Sequence, residues 1–275
     1  MMLTRKDRID QAIKTQPKVW IVNLIVTAVI LLAVFYSLAD SKINWVRIGN
    51  LGESFSRMIS GFLKPDTDFL VGTGIYDFDE GVIYLSIETL AIAYVGTLIG
   101  GILAIPVGVL AAKNITGKFS KIAETILIII RTFPEILLAL MLVKSVGLGP
   151  LAGVLTIGVH SVGMMGKLVS ESIENMDKGP IEALDACGAG VWAKLRYAVL
   201  PQVVADFISI GLYRFDINVR SASVLGLVSA GGIGAMLIFT SSEQNWAGLS
   251  SIMIAVVIMV LGVEIISSKL RNKLI

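Results

Sequence analysis

The sequence predicts an all-α integral membrane protein with about six transmembrane helices. Of the 275 residues, 55% are hydrophobic and 16% are charged, whereas a soluble domain typically has about 45–50% apolar and about 25% charged residues. The mean hydropathy is +0.81, and several apolar runs reach the roughly 20 residues that a helix needs to cross a bilayer. The composition therefore excludes a soluble enzyme and a disordered chain, and the net charge of +2 argues against nucleic-acid binding.

Six apolar runs are predicted to span the membrane. They are Trp20–Ala39, Gly81–Ala112, Lys121–Val143, Leu151–Val169, a run from about Val199 into the glycine-rich stretch after Val219, and Trp246–Ile266. The first run carries no charge and no small-residue cleavage site follows it, so we expect a retained helix rather than a signal peptide. The second exceeds the minimum length and is expected to tilt or to begin outside the membrane. The third is interrupted by Arg131 and Pro134.

The distribution of basic residues predicts that both termini are cytoplasmic. With the N-terminus inside, the inner segments carry fifteen Lys and Arg residues and the outer segments carry five, as the positive-inside rule requires. The predicted order is a cytoplasmic segment 1–19, a first transmembrane helix 20–39, an extracytoplasmic loop 40–80, a helical core 81–268 with a cytoplasmic loop 170–200, and a cytoplasmic tail 269–275.

Two of these connections are expected to contain short helices. In the outer loop, apolar residues recur at helical spacing, which favours an amphipathic helix on the outer membrane surface; they are Leu51, Phe55, Met58, Ile59 and Phe62. In the cytoplasmic loop, Asp177 can cap a helix, Pro180 suits its first turn and Gly188 suits its end. A helix of about two turns is unstable alone, so we expect a partner to pack on it, close to the small residues Ala183 and Ala186.

The cytoplasmic loop resembles the EAA loop of ABC-importer permeases. The family pattern is Glu-Ala-Ala, three residues, Gly, nine residues, Ile, one residue and Leu-Pro. This sequence has Glu182-Ala183-Leu184, then Gly188, Ala198 and Leu200-Pro201 at the same spacing, and departs at Leu184 and Ala198. The resemblance implies that this segment is the coupling helix, seated in a groove of a separate ATPase. The implied coupling residues are Glu182, Ala183, Leu184, Asp185, Ala186, Gly188, Leu200 and Pro201.

Further motifs are similar to those of phosphonate-type permeases. Arg131-Thr132-Phe133-Pro134 resembles an Arg-Ser-x-Pro element that methionine-type permeases share. Residues 213–220 and 229–234 resemble Tyr-Arg-Trp-Glu-x-Asn-Val-Arg and Gly-Ala-Gly-Gly-Ile-Gly, with departures at Phe215, Asp216 and Ser229. The resemblance implies a type I ABC importer permease in a bacterial inner membrane, with a methionine-permease-like core plus an N-terminal helix. The implied partners are a second copy of the chain, two ATP-binding subunits, an extracytoplasmic phosphonate-binding protein and membrane lipid.

The predicted function is therefore that of a pore for phosphonate or a related phosphorus oxyanion such as phosphite or a phosphate ester. We expect no catalytic residue, metal or cofactor on this chain, because it lacks a Walker A pattern and holds one His and one Cys. ATP and magnesium are expected on the partner ATPase.

Charged and glycine residues within the apolar runs are the pore or gate candidates. They are Arg131, Pro134, His160, Arg214, Asp216, Arg220, Gly231, Gly232 and Gly234. Charges at membrane depth need partners, and the spacing predicts pairs between Asp216 and Arg220 and between Arg131 and Glu135. The first pair either locks the fifth span or belongs to a cationic lining for an anion. His160 is either a satisfied interior residue or part of that lining, and the glycines suggest gate-region packing or flexing.

Three other functions remain open at this point. An ABC permease for methionine or another small solute differs only in the substrate. An ion-coupled secondary transporter would be expected to show inverted repeats with broken helices, and no paired halves are evident. An intramembrane enzyme would need a nucleophile–base pair or a metal set at membrane depth, for which a single His offers little.

Overall fold

Every regular element in the described part of the chain is helical. The computed structural model describes residues 19–40, 51–74 and 77–274. The α-helices are α1 (Val19–Asp40), α2 (Leu51–Phe62), α3 (Thr67–Val71), α4 (Val82–Ala111), α5 (Lys113–Thr116), α6 (Ser120–Thr132), α7 (Glu135–Val146), α8 (Pro150–Asn175), α9 (Gly179–Ala186), α10 (Val191–Lys194), α11 (Leu200–Leu225), α12 (Ile233–Ser242) and α13 (Trp246–Leu274). Among them, five helices or continuous helical runs are long and apolar enough to cross a membrane, and the bent pair α6–α7 makes up to six. The prediction of an all-α membrane protein with about six spans is confirmed.

The chain divides into two units, 1–56 and 57–275. In the first, α1 contains an apolar stretch, Trp20–Leu38, with a mean hydropathy of 2.5. Most of the predicted cytoplasmic segment 1–19 and the positions 41–50 of the outer loop lie outside the described residues. The segment Leu51–Phe62 forms α2, and its location on the outer membrane surface stays a prediction.

Within the second unit, small residues bring α4 and α8 into close contact. A Cβ added to Gly96 would lie 2.7 Å from Cγ2 of Ile157, and one added to Gly100 would lie 2.5 Å from Cβ of Ser161. Gly108, two turns further along α4, would meet the carbonyl oxygen of Gly166 at 2.9 Å. Glycines four residues apart therefore form a strip along which the two backbones approach, as is common between membrane helices.

The third predicted span is broken rather than straight. Helices α6 and α7 meet at an angle of 84°. The two residues between them, Phe133 and Pro134, have extended backbones with ψ of 126° and 125°. A residue before proline is driven out of the helical region, and proline itself cannot donate a backbone hydrogen bond. The Arg131–Pro134 motif therefore ends one helix and begins another.

The helices that contain the fifth and sixth predicted spans extend beyond the limits predicted for those spans. The fifth was expected from about Val199, but the helical run begins at Val191, because α10 continues through a π-helical segment, Leu195–Val199, into α11. Pro201 lies in the first turn of α11, where its missing N–H interrupts the regular ladder. Helix α13 continues to Leu274, so the predicted tail, apart from residue 275 outside the described part, is helical.

Candidate functional site

Helix α9 has eight residues. Its first turn and its end agree with the sequence prediction, but its N-cap residue is Lys178 rather than Asp177. The Gly179 amide donates to Oδ1 of Asp177 over 3.0 Å, and Pro180 occupies the first turn. At the other end, Gly188 has a φ of 71°, and its amide donates to the carbonyl of Asp185 over 2.9 Å. Glycine adopts this left-handed conformation without steric cost. Any other residue at position 188 is strained.

One side of α9 is open. No residue of the helix is fully buried, and the exposed side chains are Glu182, Ala183, Asp185 and Ala186. The other side is anchored by Ile181, which packs against a buried apolar cluster that includes Val169 and Ile173 of α8 and Val199 before α11. The helix is therefore seated on the chain by one face, and its family-type residues point outward except Leu184, which is half-buried.

Polar contacts tie α9 and the residues before it to the following span. The Lys194 ammonium of α10 forms an ion pair with the Asp185 carboxylate. The Asp177 amide donates to Oε1 of Gln202 over 3.1 Å, and Nε2 of Gln202 donates to the Asp177 carbonyl over 3.2 Å. Leu200 and Pro201, the last two predicted coupling residues, are exposed at the start of α11 next to Gln202. These contacts couple the position of the cytoplasmic loop to that of α11.

A second polar region, which we term the polar cluster, lies inside the chain: Thr97, Glu135, His160, Ser161, Arg214, Asn218 and Ser221. Arg214 is 3% exposed. Its Nε donates to Oγ of Ser161 over 3.1 Å, and its Nη2 lies 2.8 Å from Nδ1 of His160. Because a guanidinium only donates, Nδ1 of His160 accepts and the ring proton is on Nε2. His160 is thus a half-buried residue with a partner inside the chain.

Asn218 joins three helices at the centre of the polar cluster. Its Nδ2 donates to Oγ1 of Thr97 on α4 over 2.7 Å and to Oγ of Ser161 on α8 over 2.9 Å, and the residue is fully buried. Arg214 and Asn218, four residues apart on one face of α11, both donate to Ser161 of α8. The arrangement of α4, α8 and α11 is therefore held by polar contacts as well as by packing.

The predicted pair between Arg131 and Glu135 is wrong. The break at Phe133 and Pro134 means that the two residues are not on one continuous helix. Oε2 of Glu135 instead accepts from Oγ of Ser221 over 3.0 Å and lies 4.0 Å from Nδ1 of His160. The carboxylate at the start of α7 therefore faces α8 and α11, and Arg131 is exposed at the end of α6.

The predicted pair between Asp216 and Arg220 is present. Nη2 of Arg220 donates to Oδ2 of Asp216 over 2.7 Å. Asp216 is 6% exposed, whereas the Arg220 side chain is 55% exposed. The pair stabilises one turn of α11 and leaves most of the guanidinium accessible.

The three glycines Gly231, Gly232 and Gly234 lie in a tight turn that is packed within the chain. Gly231 and Gly232 have φ of 85° and 75°. A Cβ on Gly231 would lie 2.8 Å from Cα of Pro150, and one on Gly232 would lie 2.5 Å from Oγ1 of Thr89. Gly234 is as closely packed against Gly226. These contacts to α8 and α4 account for the glycines without a partner chain, and their proposed role in a gate stays a prediction.

The residues that complete both regions have no distinctive sequence pattern of their own. Ser161, Thr97 and Ser221 carry no charge and resemble any small residue in an apolar run, and Gln202 lies just after the matched motif. The one available signal was the four-residue spacing of Arg214 and Asn218. Within residues 19–40, 51–74 and 77–274, no group of three His, Cys, Asp or Glu side chains is placed to hold a metal ion.

The helices that are long and apolar enough to cross a membrane define a multi-pass membrane protein. Residues 104–272 match the family described as binding-protein-dependent transport system inner membrane component. The chain therefore belongs to this family of membrane components of transport systems.

Two relatives have names that specify a phosphorus oxyanion. The phosphate-import permease protein PhnE of Mycolicibacterium smegmatis is 37% identical over 190 residues, which are 68% of this chain and 36% of that protein. The phosphite transport system permease protein PtxC of Stutzerimonas stutzeri is 37% identical over 188 residues, 68% of each chain. This chain thus matches about a third of the mycobacterial protein's length and about two thirds of the second.

The fold is also that of a solved permease. A chain of the inward-facing MetNI methionine ABC transporter superimposes with a TM-score of 0.62 at 21% identity, covering 70% of this chain and 96% of that one. The methionine-permease-like core predicted from the sequence is confirmed as a fold.

Proposed function

We propose that the chain is the pore-forming permease of an ATP-driven importer of phosphonate or a related phosphorus oxyanion, phosphite and phosphate esters included. The observation that carries the proposal is α9, an exposed helix with the family spacing that is tied by side chains to a membrane-crossing helix. The substrate class is supported by the relatives, which are named for phosphate and phosphite at 37% identity. A relative named for D-methionine is 24% identical, which gives the methionine alternative less support.

In this proposal, two copies of the chain form the pore and two ATP-binding subunits receive the α9 helices. ATP and magnesium act on those subunits, an extracytoplasmic binding protein delivers the anion, and both termini face the cytoplasm. The residues that contact the ATPase are those of the EAA-like segment, Glu182 to Gly188, with Leu200 and Pro201 at the base of α11. All of these residues except the half-buried Leu184 are exposed, which supports this assignment.

Movement of α9 is proposed to reach the pore through α11. The Asp185–Lys194 pair and the Gln202 contacts transmit a displacement of the loop to α11, which carries Arg214, Asp216 and Arg220. ATP binding then stabilises one of two conformers, opening the pore to one side.

The charged residues divide into two roles in this pore. Arg131 and Arg220 are exposed and can meet an anion with a two-pronged guanidinium. Arg214 is held inside the chain by Ser161 and His160 and positions helices. A small number of exposed cations is suitable for a transport path, since strong binding of the anion would slow its release.

The test is affinity capture of the chain from gently solubilised membranes, followed by uptake assays of the captured complex in proteoliposomes. We expect an ATPase with a Walker A motif at near equal stoichiometry, and ATP-dependent uptake of phosphite or methylphosphonate with the matching binding protein. Uptake of methionine but not of these anions would overturn the substrate. Transport by the chain alone without ATP would overturn the importer assignment and favour a secondary transporter.

A further inference from the structure

A cleft between α11 and α13 brings five charged side chains together. Its volume is about 660 Å³. The polar residues that line it and enter the argument are Tyr213, Asp216, Arg220, Glu264, Lys269 and Arg271. Three cations and two carboxylates therefore face one space.

The two helices run antiparallel along this cleft. The Arg271 guanidinium carbon lies 5.7 Å from the centre of the Tyr213 ring. Arg220 is seven residues further along α11 and Glu264 is seven residues back along α13, and both line the same cleft. Seven residues of helix are about 10 Å. The cleft therefore extends about two turns from the Arg271 end of α13 toward the middle of the span.

The charges in the cleft are only partly neutralised by each other. Asp216 binds Arg220 at 2.7 Å, and the exposed remainder of that guanidinium keeps donors free. In the part of the chain that the structure describes, neither Lys269 nor Arg271 has a carboxylate within 4.0 Å. With Glu264 counted, the cleft keeps a net positive charge, and cations beside a bilayer are stabilised by an anion or by water.

We infer that this cleft binds a phosphoryl oxyanion between Arg220, Lys269 and Arg271, while Asp216 holds the Arg220 guanidinium in position. Guanidinium groups donate parallel hydrogen bonds to phosphoryl oxygens, and a Lys ammonium adds a point charge. The proposal adds two residues from the end of α13 to the anion path. The transported anion and a phospholipid headgroup present the same chemistry; for the first source, the inference rests on the function proposed above.

The test uses ³¹P NMR titration of the purified chain in phospholipid-free detergent. The probes are methylphosphonate and a short-chain phosphatidylglycerol, and the variants are the double substitution Lys269→Gln/Arg271→Gln, the single Arg220→Gln and the control Lys273→Gln. Lys273 is exposed on the same helix and does not line the cleft. We expect each cleft variant to bind at least about tenfold more weakly, as expected for loss of a charge-assisted hydrogen bond, and the control to match the wild type.

The outcomes separate the two sources and the two proposals. Loss of methylphosphonate binding in the cleft variants identifies the transported anion as the ligand, and loss of phosphatidylglycerol binding alone identifies a headgroup. No binding of either probe, or an equal effect of Lys273→Gln, overturns the inference. Should the double variant aggregate on size-exclusion chromatography, Lys269→Gln alone gives the same comparison, because its side chain is exposed. ATP-dependent uptake by the wild-type complex is measured separately, so its absence refutes the importer without deciding the cleft.

Discussion

Helix α9 and the polar cluster both carry charged side chains, but they differ in how far those side chains are buried. In α9, no side chain is fully buried, and its tethers to α10 and α11 lie at its edges. In the polar cluster, Arg214 and Asn218 are 3% and 0% exposed, and their donors reach side chains on neighbouring helices. The polar groups of α9 face outward, whereas those of the polar cluster bond to one another inside the chain, apart from Oε1 of Glu135 and Oδ1 of Asn218, which are buried without a hydrogen-bond partner in the described part of the chain. Substitutions in α9 are therefore expected to affect transport, and substitutions in the polar cluster are expected to affect stability.

The largest effect is expected for Gly188→Trp. The position requires a positive φ, and a bulky side chain would project from the end of α9 where a partner is expected. We expect uptake to fall by about tenfold or more, equivalent to about 1.4 kcal/mol of barrier, with the protein still inserted. The measurement is ATP-dependent uptake in vesicles, alongside recovery of the ATPase on affinity capture.

The matched control is Gly117→Trp. Gly117 also has a positive φ, 58°, and open space for a Cβ, but it lies between α5 and α6. If both tryptophans impaired uptake equally, general backbone strain would explain the result and the role of α9 would be refuted.

A smaller effect is expected when the link between α9 and α10 is broken. Asp185→Lys places two cations together where an ion pair now holds the loop. A surface pair of this kind contributes up to about 1 kcal/mol, so we expect uptake to fall by up to about fivefold with little change in thermal stability.

The charge-swapped double variant Asp185→Lys/Lys194→Asp tests whether the pair itself matters. Restoration of uptake relative to either single variant, measured in the same vesicles, supports transmission through this contact. A double variant as impaired as the sum of the singles would show that the two side chains act independently.

In the polar cluster, Asn218→Ala should lower stability. It removes two interhelical hydrogen bonds and leaves a small cavity, which together cost about 1–2 kcal/mol. Thermal unfolding in detergent measures the loss, and Asn272→Ala, at an exposed position of α13, is the control. An unchanged melting temperature would mean that the Asn218 hydrogen bonds do not stabilise the arrangement of α4, α8 and α11.

The smallest effect is a gain of stability from Ser229→Gly. Ser229 has a φ of 61°, and glycine stands at this position in the resembling motif. Relief of left-handed strain of about 1–2 kcal/mol exceeds the entropy disadvantage of glycine of about 0.4–1 kcal/mol, so we expect a gain of about 0.5–1 kcal/mol.

Ser241→Gly, at an exposed helical position in α12, supplies the opposite sign and should lower the melting temperature. A loss of stability in both variants would indicate that the Ser229 side chain has a role of its own.

The structural features that the sequence predicts correctly are those that depend on residues close together along the chain. Hydropathy locates the spans, Pro180 and Gly188 place the ends of α9, and the four-residue spacing predicts the Asp216–Arg220 pair. The same spacing fails for Arg131 and Glu135, because Pro134 breaks the helix between them. The contacts of Asn218 with Thr97 and Ser161 depend on how three separate helices are aligned, which no local pattern contains.

The helical run from Val191 to Leu225, which continues through its π-helical segment, has a mechanical consequence. At 1.5 Å per residue it is a rod of about 50 Å, and a rotation of about 5° about its midpoint displaces each end by about 2 Å. A small rotation of the helical run at its base, where Lys194 and Gln202 hold the loop, thus produces a displacement of atomic size at its far end. No part of the rod has to unfold for the motion to cross the membrane.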